Sequence, residues 1–207
     1  REKFDAWART LPDTLGNPLF HWSAMEMKNV FGLNEMPDPE CADRVWTACN
    51  ERLKEEGFST REVLRRFGVK VLSTSDDLLD DVTIHPFISG KLKVAPSLRA
   101  DSILAFDRSW FEKLGSPESL EEYLTIVSGY LDVFAQNGCR VADHALDDGW
   151  RFELADYDTA AGLYAAGNYA DVRLKSYILG YLASQYASRG WVMLLHLGAQ
   201  RFTSSRL

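Results

Sequence analysis

Few cysteines, no long apolar run and no basic cluster are the first constraints the chain sets. Three cysteines, Cys41, Cys49 and Cys139, stand among 207 residues with no C-x-x-C spacing. An odd set of this kind excludes both a disulfide framework and a structural zinc site, and reads as buried reduced thiols. No stretch of about 18 apolar residues occurs, so no membrane-spanning helix and no membrane partner are expected. No run of five basic residues occurs either, and the formal net charge is −7. A chain of that sign repels phosphate polyanions, which excludes nucleic acid as a partner. Internal repeats and low-complexity tracts are also missing. The opening REKFDAWART is amphipathic but carries acids and no cleavage-site pattern, so it does not read as a signal peptide. Position 1 is arginine rather than methionine, and the chain is expected to begin inside a longer protein or after processing. Acidic balance and reduced thiols together suggest a cytoplasmic protein.

What is present supports a folded domain, since hydrophobic residues make up 46% of the chain. The first third reads as helices. PECADRVWTACNERLKEEG places Ala42, Val45, Trp46, Cys49 and Leu53 on one face, with Asp38 as cap, Pro39 in the first turn and Gly57 at the end. In STREVLRRFG, Ser59 and Glu62 have capping-box spacing, and Gly68 can stop the helix. NPLFHWSAMEMKNVFG predicts a helix that starts after Asn17 and ends at Gly32.

From residue 69 the pattern changes. VKVLSTSDD, KLKVAPSLRAD, CRVADHALDD and WVMLLHLGAQR are short apolar runs that break into polar residues. Helical segments separate the later ones. SPESLEEYLTIVSGYLDVFAQNG predicts a helix with Ser116 as cap, Pro117 at its first position and a stripe of Leu120, Leu124, Val127, Leu131 and Phe134, ending at Gly138. NYADVRLKSYILGYLASQYASRG predicts another, with Val172, Leu179, Leu182 and Tyr186 inward and Gly190 at its end. Alternation of near-continuous apolar strands with helices means a parallel sheet covered by helices, an α/β fold. The division expected is a helical region over 1–68 followed by βα units over 69–207.

Parallel α/β sheets gather ligand sites at the carboxyl ends of their strands. Polar residues stand at those ends here: Asp76 and Asp77, Arg99 and Asp101, Asp143 and His144, His196 and Arg201. Four such ends in series suggest one shared pocket. Arginines suit an anionic substrate, because the guanidinium fork matches a carboxylate. Imidazole and aspartate together can move protons or bind a divalent metal. Structural roles are available to the same residues: Asp76 and Asp77 can cap a turn, Arg99 can pair with Asp101, and His144 or His196 can sit in a core. His21 beside Trp22 can pack on its helix, and His85 in TIHPF reads as an ordinary loop residue.

The segments LGNPLFHWSAMEMKNVFGL, STSDDLLDD, KVAPSLRAD, GCRVADHALDD and RGWVMLLHLGAQR, in that order and spacing, resemble the uronate (glucuronate) isomerases of the amidohydrolase superfamily. The resemblance implies a metal-supported (β/α)8 barrel with an inserted helical region. The activity it implies is interconversion of D-glucuronate with D-fructuronate and of D-galacturonate with D-tagaturonate, so the implied partner is a small-molecule hexuronate. It covers only the central part of that family's fold. The family's metal-binding His-x-His would precede Arg1 and its metal-binding Asp would follow Leu207; no His-x-His occurs in the chain. Matching residue by residue, Arg99 corresponds to the arginine facing the substrate carboxylate, although Leu98 stands where the family has Trp. Asp143 and His144 match the family's Asp-His, His196 and Arg201 its His-x-Gly-x-x-Arg, and His21 and Trp22 its His-Trp. The resemblance therefore implies Asp143, His144 and His196 as catalytic, and Arg99, Arg201, His21, Trp22 and Asp76 as substrate-binding. The cofactor is expected to be a divalent metal, zinc, with its main ligands outside the chain and His196 as a further candidate. At 207 residues against roughly 250 for a whole barrel, the chain is expected to be inactive alone and to self-associate through exposed sheet edges into a homo-oligomer. A non-catalytic sugar-acid-binding or scaffold fragment and a metal-dependent hydrolase of the same superfamily are the alternatives.

Overall fold

A computed structural model describes residues 1–85, 92–147, 149–200 and 203–205. The chain divides into two compact units, Arg1–Val69 and Lys70–Leu207.

The first unit is helical: α1 Glu2–Thr10, α2 Pro18–Glu26, α3 Ala42–Leu53 and α4 Thr60–Arg66. Asn17 caps α2 by accepting from the Leu19 amide, and Pro18 fills a first-turn position where no amide hydrogen is needed. A π-turn over Met27–Phe31 extends α2 to Gly32, whose φ of 72° closes it in a left-handed cap. Ser59 caps α4 through the Glu62 amide, as its spacing predicts. Asp38 does not reach α3 itself: its carboxylate accepts from Glu40 and Cys41 in the turn ahead, and the helix ends at Leu53, before Gly57. The interior is small, built from Ala8, Leu11, Cys41, Ala42 and Val45, with Phe4 against Trp46.

The second unit carries a four-stranded sheet in the order β1–β2–β3–β4, every neighbouring pair parallel. Its strands are β1 Val71–Asp77, β2 Lys93–Arg99, β3 Val141–Leu146 and β4 Val192–Leu197. Between β2 and β3 run α5 Asp101–Ala105, α6 Arg108–Lys113 and α7 Leu120–Gln136; between β3 and β4 run α8 Tyr157–Ala165 and α9 Val172–Ser188. The expected parallel α/β layer is thus observed. The stripe Leu120, Leu124, Val127, Leu131 and Phe134 is buried, and so are Leu179, Leu182 and Tyr186 of α9. They join Leu98, Ala142 and Leu146 of the sheet in one core. Burial of side chains this size contributes about 1.5–3 kcal/mol each, so this stripe holds α7 to the sheet.

Two caps differ from expectation. Ser119, not Ser116, caps α7 by accepting from the Glu122 amide. Ser116 lies at φ 51° in the turn before it, a left-handed backbone that cannot serve as an N-cap. Val172 is only half-buried: Asp171 caps α9 immediately before it, and the first turn sends Leu174 rather than Val172 into the core. β4 is apolar on both faces yet exposed at Val192, Leu194, Leu195 and Leu197. Among the described residues no helix is long and apolar enough to cross a membrane.

Candidate active site

Side chains alternate along a strand, and residues paired in a parallel register share a face. Asp77 pairs with Arg99, Arg99 with Asp143, Asp143 with Leu194 and Ala145 with His196. Arg99, Asp143 and His196 therefore occupy one face of the sheet. The opposite face carries Leu98, Ala142, His144 and Leu146 into the helix-covered core, as the alternating burial of β3 requires.

On the open face the groups are tied into two pairs. Arg99 donates from Nε to Asp101 at 2.9 Å. The other Asp101 oxygen accepts from the Ala145 amide at 2.8 Å. Asp101 thus pins the guanidinium to the backbone of β3. Asp101 first, and Asp143 after it, raise the Arg99 pKa, so the cation is secure. His196 Nε2 stands 3.8 Å from Asp143 Oδ2, and the imidazole is 56% exposed. A half-exposed cation beside a carboxylate–imidazole pair can hold an anion and exchange a proton with it.

Two expected members of this site lie elsewhere. His144 follows Asp143 directly, so the strand's two-residue period turns it the other way. It is fully buried, with its ring 5.6 Å from that of Tyr186 on α9. Burial lowers its pKa to about 4, against a smaller opposing effect of Asp101 and Asp143. Neither ring nitrogen has a hydrogen-bond partner among the described residues. Asp76 is the register partner of Leu98, also on the helix-covered face, and accepts from the Thr74 hydroxyl at 2.6 Å. The expectation that the strand ends deliver both to a common pocket is corrected by this alternation. Asp77 is on the Arg99 face, but its carboxylate accepts from Trp110 Nε1 at 2.7 Å and from the Ser102 hydroxyl. It holds α5 and α6 in place.

His21 and Trp22 are adjacent on α2 in the first unit and both are exposed, Trp22 at 59%. His21 meets Phe20 edge-on. Neither is consumed by core packing. Arg201 lies outside the described residues. Two residues gain a role that their sequence context did not announce. Asp101 positions Arg99, a role the sequence offered only as a possible pairing. His85, read as an ordinary loop residue, is instead buried and bonded through both ring nitrogens.

A divalent metal needs three or more protein donors for a stable site. No group of three His, Cys, Asp or Glu that could hold one occurs among the described residues. The Asp143–His196 pair offers two donors at most, so these residues do not by themselves fit a metal centre.

The glucuronate isomerase family model matches residues 1–207. Two solved structures share the fold. A uronate isomerase from Thermotoga maritima superposes with a TM-score of 0.87 at 22% identity, covering 100% of this chain and 49% of its own. A glucuronate isomerase from Caulobacter crescentus gives 0.84 at 20% identity, covering 99% of this chain and 46% of its own. The chain spans about half the length of the solved structures it matches.

Proposed function

The chain belongs to the glucuronate isomerase family, and on that premise we propose that it supplies part of the active site of a hexuronate aldose–ketose isomerase. The reaction moves one proton from C2 to C1 and one from the C2 hydroxyl to the C1 oxygen, with no external oxidant. D-glucuronate would give D-fructuronate, and D-galacturonate would give D-tagaturonate. Arg99 anchors the C6 carboxylate. His196 takes and returns the proton, while Asp143 orients the imidazole and balances its charge when protonated. Asp101 is a positioning residue that acts through Arg99. Arg201 is a second candidate for the carboxylate, and His21 and Trp22 for sugar hydroxyls and the ring face. His144 packs the core beneath Asp143 and takes no part in the chemistry.

The observation carrying this reading is the shared face: Arg99 and Asp143 are register partners, and His196 reaches Asp143. The fold class proposed is a partial (β/α)8 barrel, supported by four parallel strands in consecutive order. The domain division proposed is a helical insertion followed by barrel βα units. The metal, zinc by expectation, would draw its main ligands from outside this chain. The isolated chain would accordingly bind a hexuronate without turning it over, as a cytoplasmic homo-oligomer. That last reading, a sugar-acid-binding fragment, is favoured by a site that has an anion anchor and, among the described residues, no metal donor set.

The test is Arg99→Ala in the full-length protein. A charge-assisted pair contributes about 1.5–3 kcal/mol, so kcat/KM toward glucuronate should fall about 10- to 150-fold. Near-normal activity would remove Arg99 from the site.

A further inference from the structure

The sheet of the second unit is open on both sides. Among the described residues no strand pairs with the outer edge of β1 or of β4. Parallel strands are normally buried, and free edges are normally guarded by charge or proline. Neither guard is present: Val71–Ser75 and Trp191–Leu197 contain no Lys, Arg, Asp, Glu or Pro. Val192, Leu194, Leu195 and Leu197 are 44–67% exposed, and Phe152, 58% exposed, lies with Leu195 and Leu197 along one apolar groove.

The backbone ladder fixes which groups face outward. The Lys93 amide donates to the Lys70 carbonyl, and in a parallel ladder alternate residues turn both N–H and C=O to the same side. Leu72 and Thr74 therefore turn to β2, while Val71, Ser73 and Ser75 turn away from it. The Val192 amide donates to the Arg140 carbonyl, so Val192 and Leu194 turn to β3, while Met193, Leu195 and Leu197 turn away. Both edges thus present an alternating row of donors and acceptors, over similar lengths and with the same strand direction.

We propose that two copies of this chain close into one eight-stranded parallel barrel, β4 of each pairing with β1 of its partner. The inference rests on the partial-barrel reading above. Eight is the strand number at which a parallel βα sheet closes, and four consecutive strands are half of it. The solved structures that share this fold are about twice as long as the chain, so two copies supply that length. A two-fold axis along the barrel keeps all eight strands parallel and uses both edges of each copy. A perpendicular axis would instead pair β4 with β4 antiparallel and leave both β1 edges free. A stable dimer buries about 800 Å² per partner, hence about 400 Å² from each edge here. The five half-exposed apolar side chains of the β4 edge supply area of that order. A net charge of −7 on each copy opposes association, so apolar area and the two new ladders must carry it. Closure sets the carboxyl ends of all eight strands on one rim, which Arg99, Asp143 and His196 of both copies then share.

Sedimentation velocity on the 207-residue chain should show one species of twice the 23.4 kDa of a single copy. Ser73→Pro and Leu195→Pro each delete an outward amide and spare the ladders to β2 and β3. Each variant acts at both seams, so each should weaken the dimer at least about 30-fold, with an unchanged far-UV circular dichroism spectrum. A monomeric parent, or an open-ended series of larger species, would overturn the closed dimer. So would a Ser73→Pro dimer as tight as the parent's, which is the outcome of β4–β4 pairing. If Ser73→Pro does not fold, Val71→Lys, at the exposed start of the same edge, takes its place. A monomeric chain would leave the isomerase reading standing, because Arg99→Ala in the full-length protein tests that separately.

Discussion

Replacing His144 by leucine tests the account of the sheet's two faces more sharply than any activity measurement. The ring is fully buried and both nitrogens lack partners among the described residues. Leaving a buried polar group unpaired costs about 1–3 kcal/mol. Leucine removes that cost at the expense of the ring contact with Tyr186, worth about 0.5–1.5 kcal/mol, and of imperfect shape, usually below about 1.5 kcal/mol. Near neutral pH the variant should lie within about 2 kcal/mol of the parent in either direction. The pH dependence is more decisive. The imidazole falls from 6.5 to about 4 on folding, so between those values the unfolded chain binds a proton that the folded chain refuses. Stability due to this residue is intact above 6.5 and lost as pH falls toward 4, by about 2 kcal/mol at about pH 5 and about 3 kcal/mol in all. His144→Leu lacks that loss, and comparing variant with parent cancels every other titrating group. Denaturant midpoints measured for both proteins from neutral pH to about pH 5 should diverge, the variant gaining as the solution is acidified. Parallel curves, or a variant weaker by more than about 2 kcal/mol at neutral pH, would show that the ring is satisfied or solvated and that the face assignment is wrong.

Two further outcomes follow from local geometry. Ser119→Ala removes the cap on the Glu122 amide and should cost about 1 kcal/mol, whereas Ser116→Ala should leave α7 unaffected; thermal melts of the pair separate the two cap positions. Asp101→Ala in the full-length protein frees Arg99 from its tether to the β3 backbone. The KM for glucuronate should rise several-fold with a smaller change in kcat, and an unaltered KM would remove Asp101 as a positioning residue.

Which parts of this were legible in the sequence depends on how local their cause is. The stripe from Leu120 to Phe134 sets α7 because its period is written within one helix, and it is buried as its spacing requires. The parallel sheet was legible for the same reason: four apolar runs with helices between the later ones. By contrast α8 was not read, since YDTAAGLYA is rich in Ala and Gly and shows no stripe. Only Asp156, capping at the Thr159 amide, marks its start. α5 and α6 are five and six residues long, too short for a period to register. The pairing of His144 with Asp143 failed for a different reason. Adjacency on a strand means opposite faces, but a parallel strand is apolar on both, so composition alone did not say which face opened outward. His85 gave no local sign at all, because its partners Thr74 and Asp76 are brought to it by β1.

The charges on the open face set a condition on any anionic substrate. Arg99 is the one arginine that the described geometry places there, and it is surrounded by acids: Asp101 and Asp143 act on it strongly enough to raise its pKa, with Asp147 contributing after them. A hexuronate approaching Arg99 gains one attraction and meets several carboxylates, each repelling it under the same dielectric. Asp101 also occupies Nε, so the substrate can use only the terminal nitrogens of the fork. One arginine in that setting orients an anion better than it binds one, and tight binding demands a second cation or a neutralised carboxylate. His196 beside Asp143 can supply the latter by taking a proton. Arg201, three residues beyond Gly198 in the sequence, is the next basic residue along the chain and the candidate for the former. The isomerase reading therefore does not rest on Arg99 alone. It requires that the charge deficit of this face be met by groups beyond those that the described residues place on it.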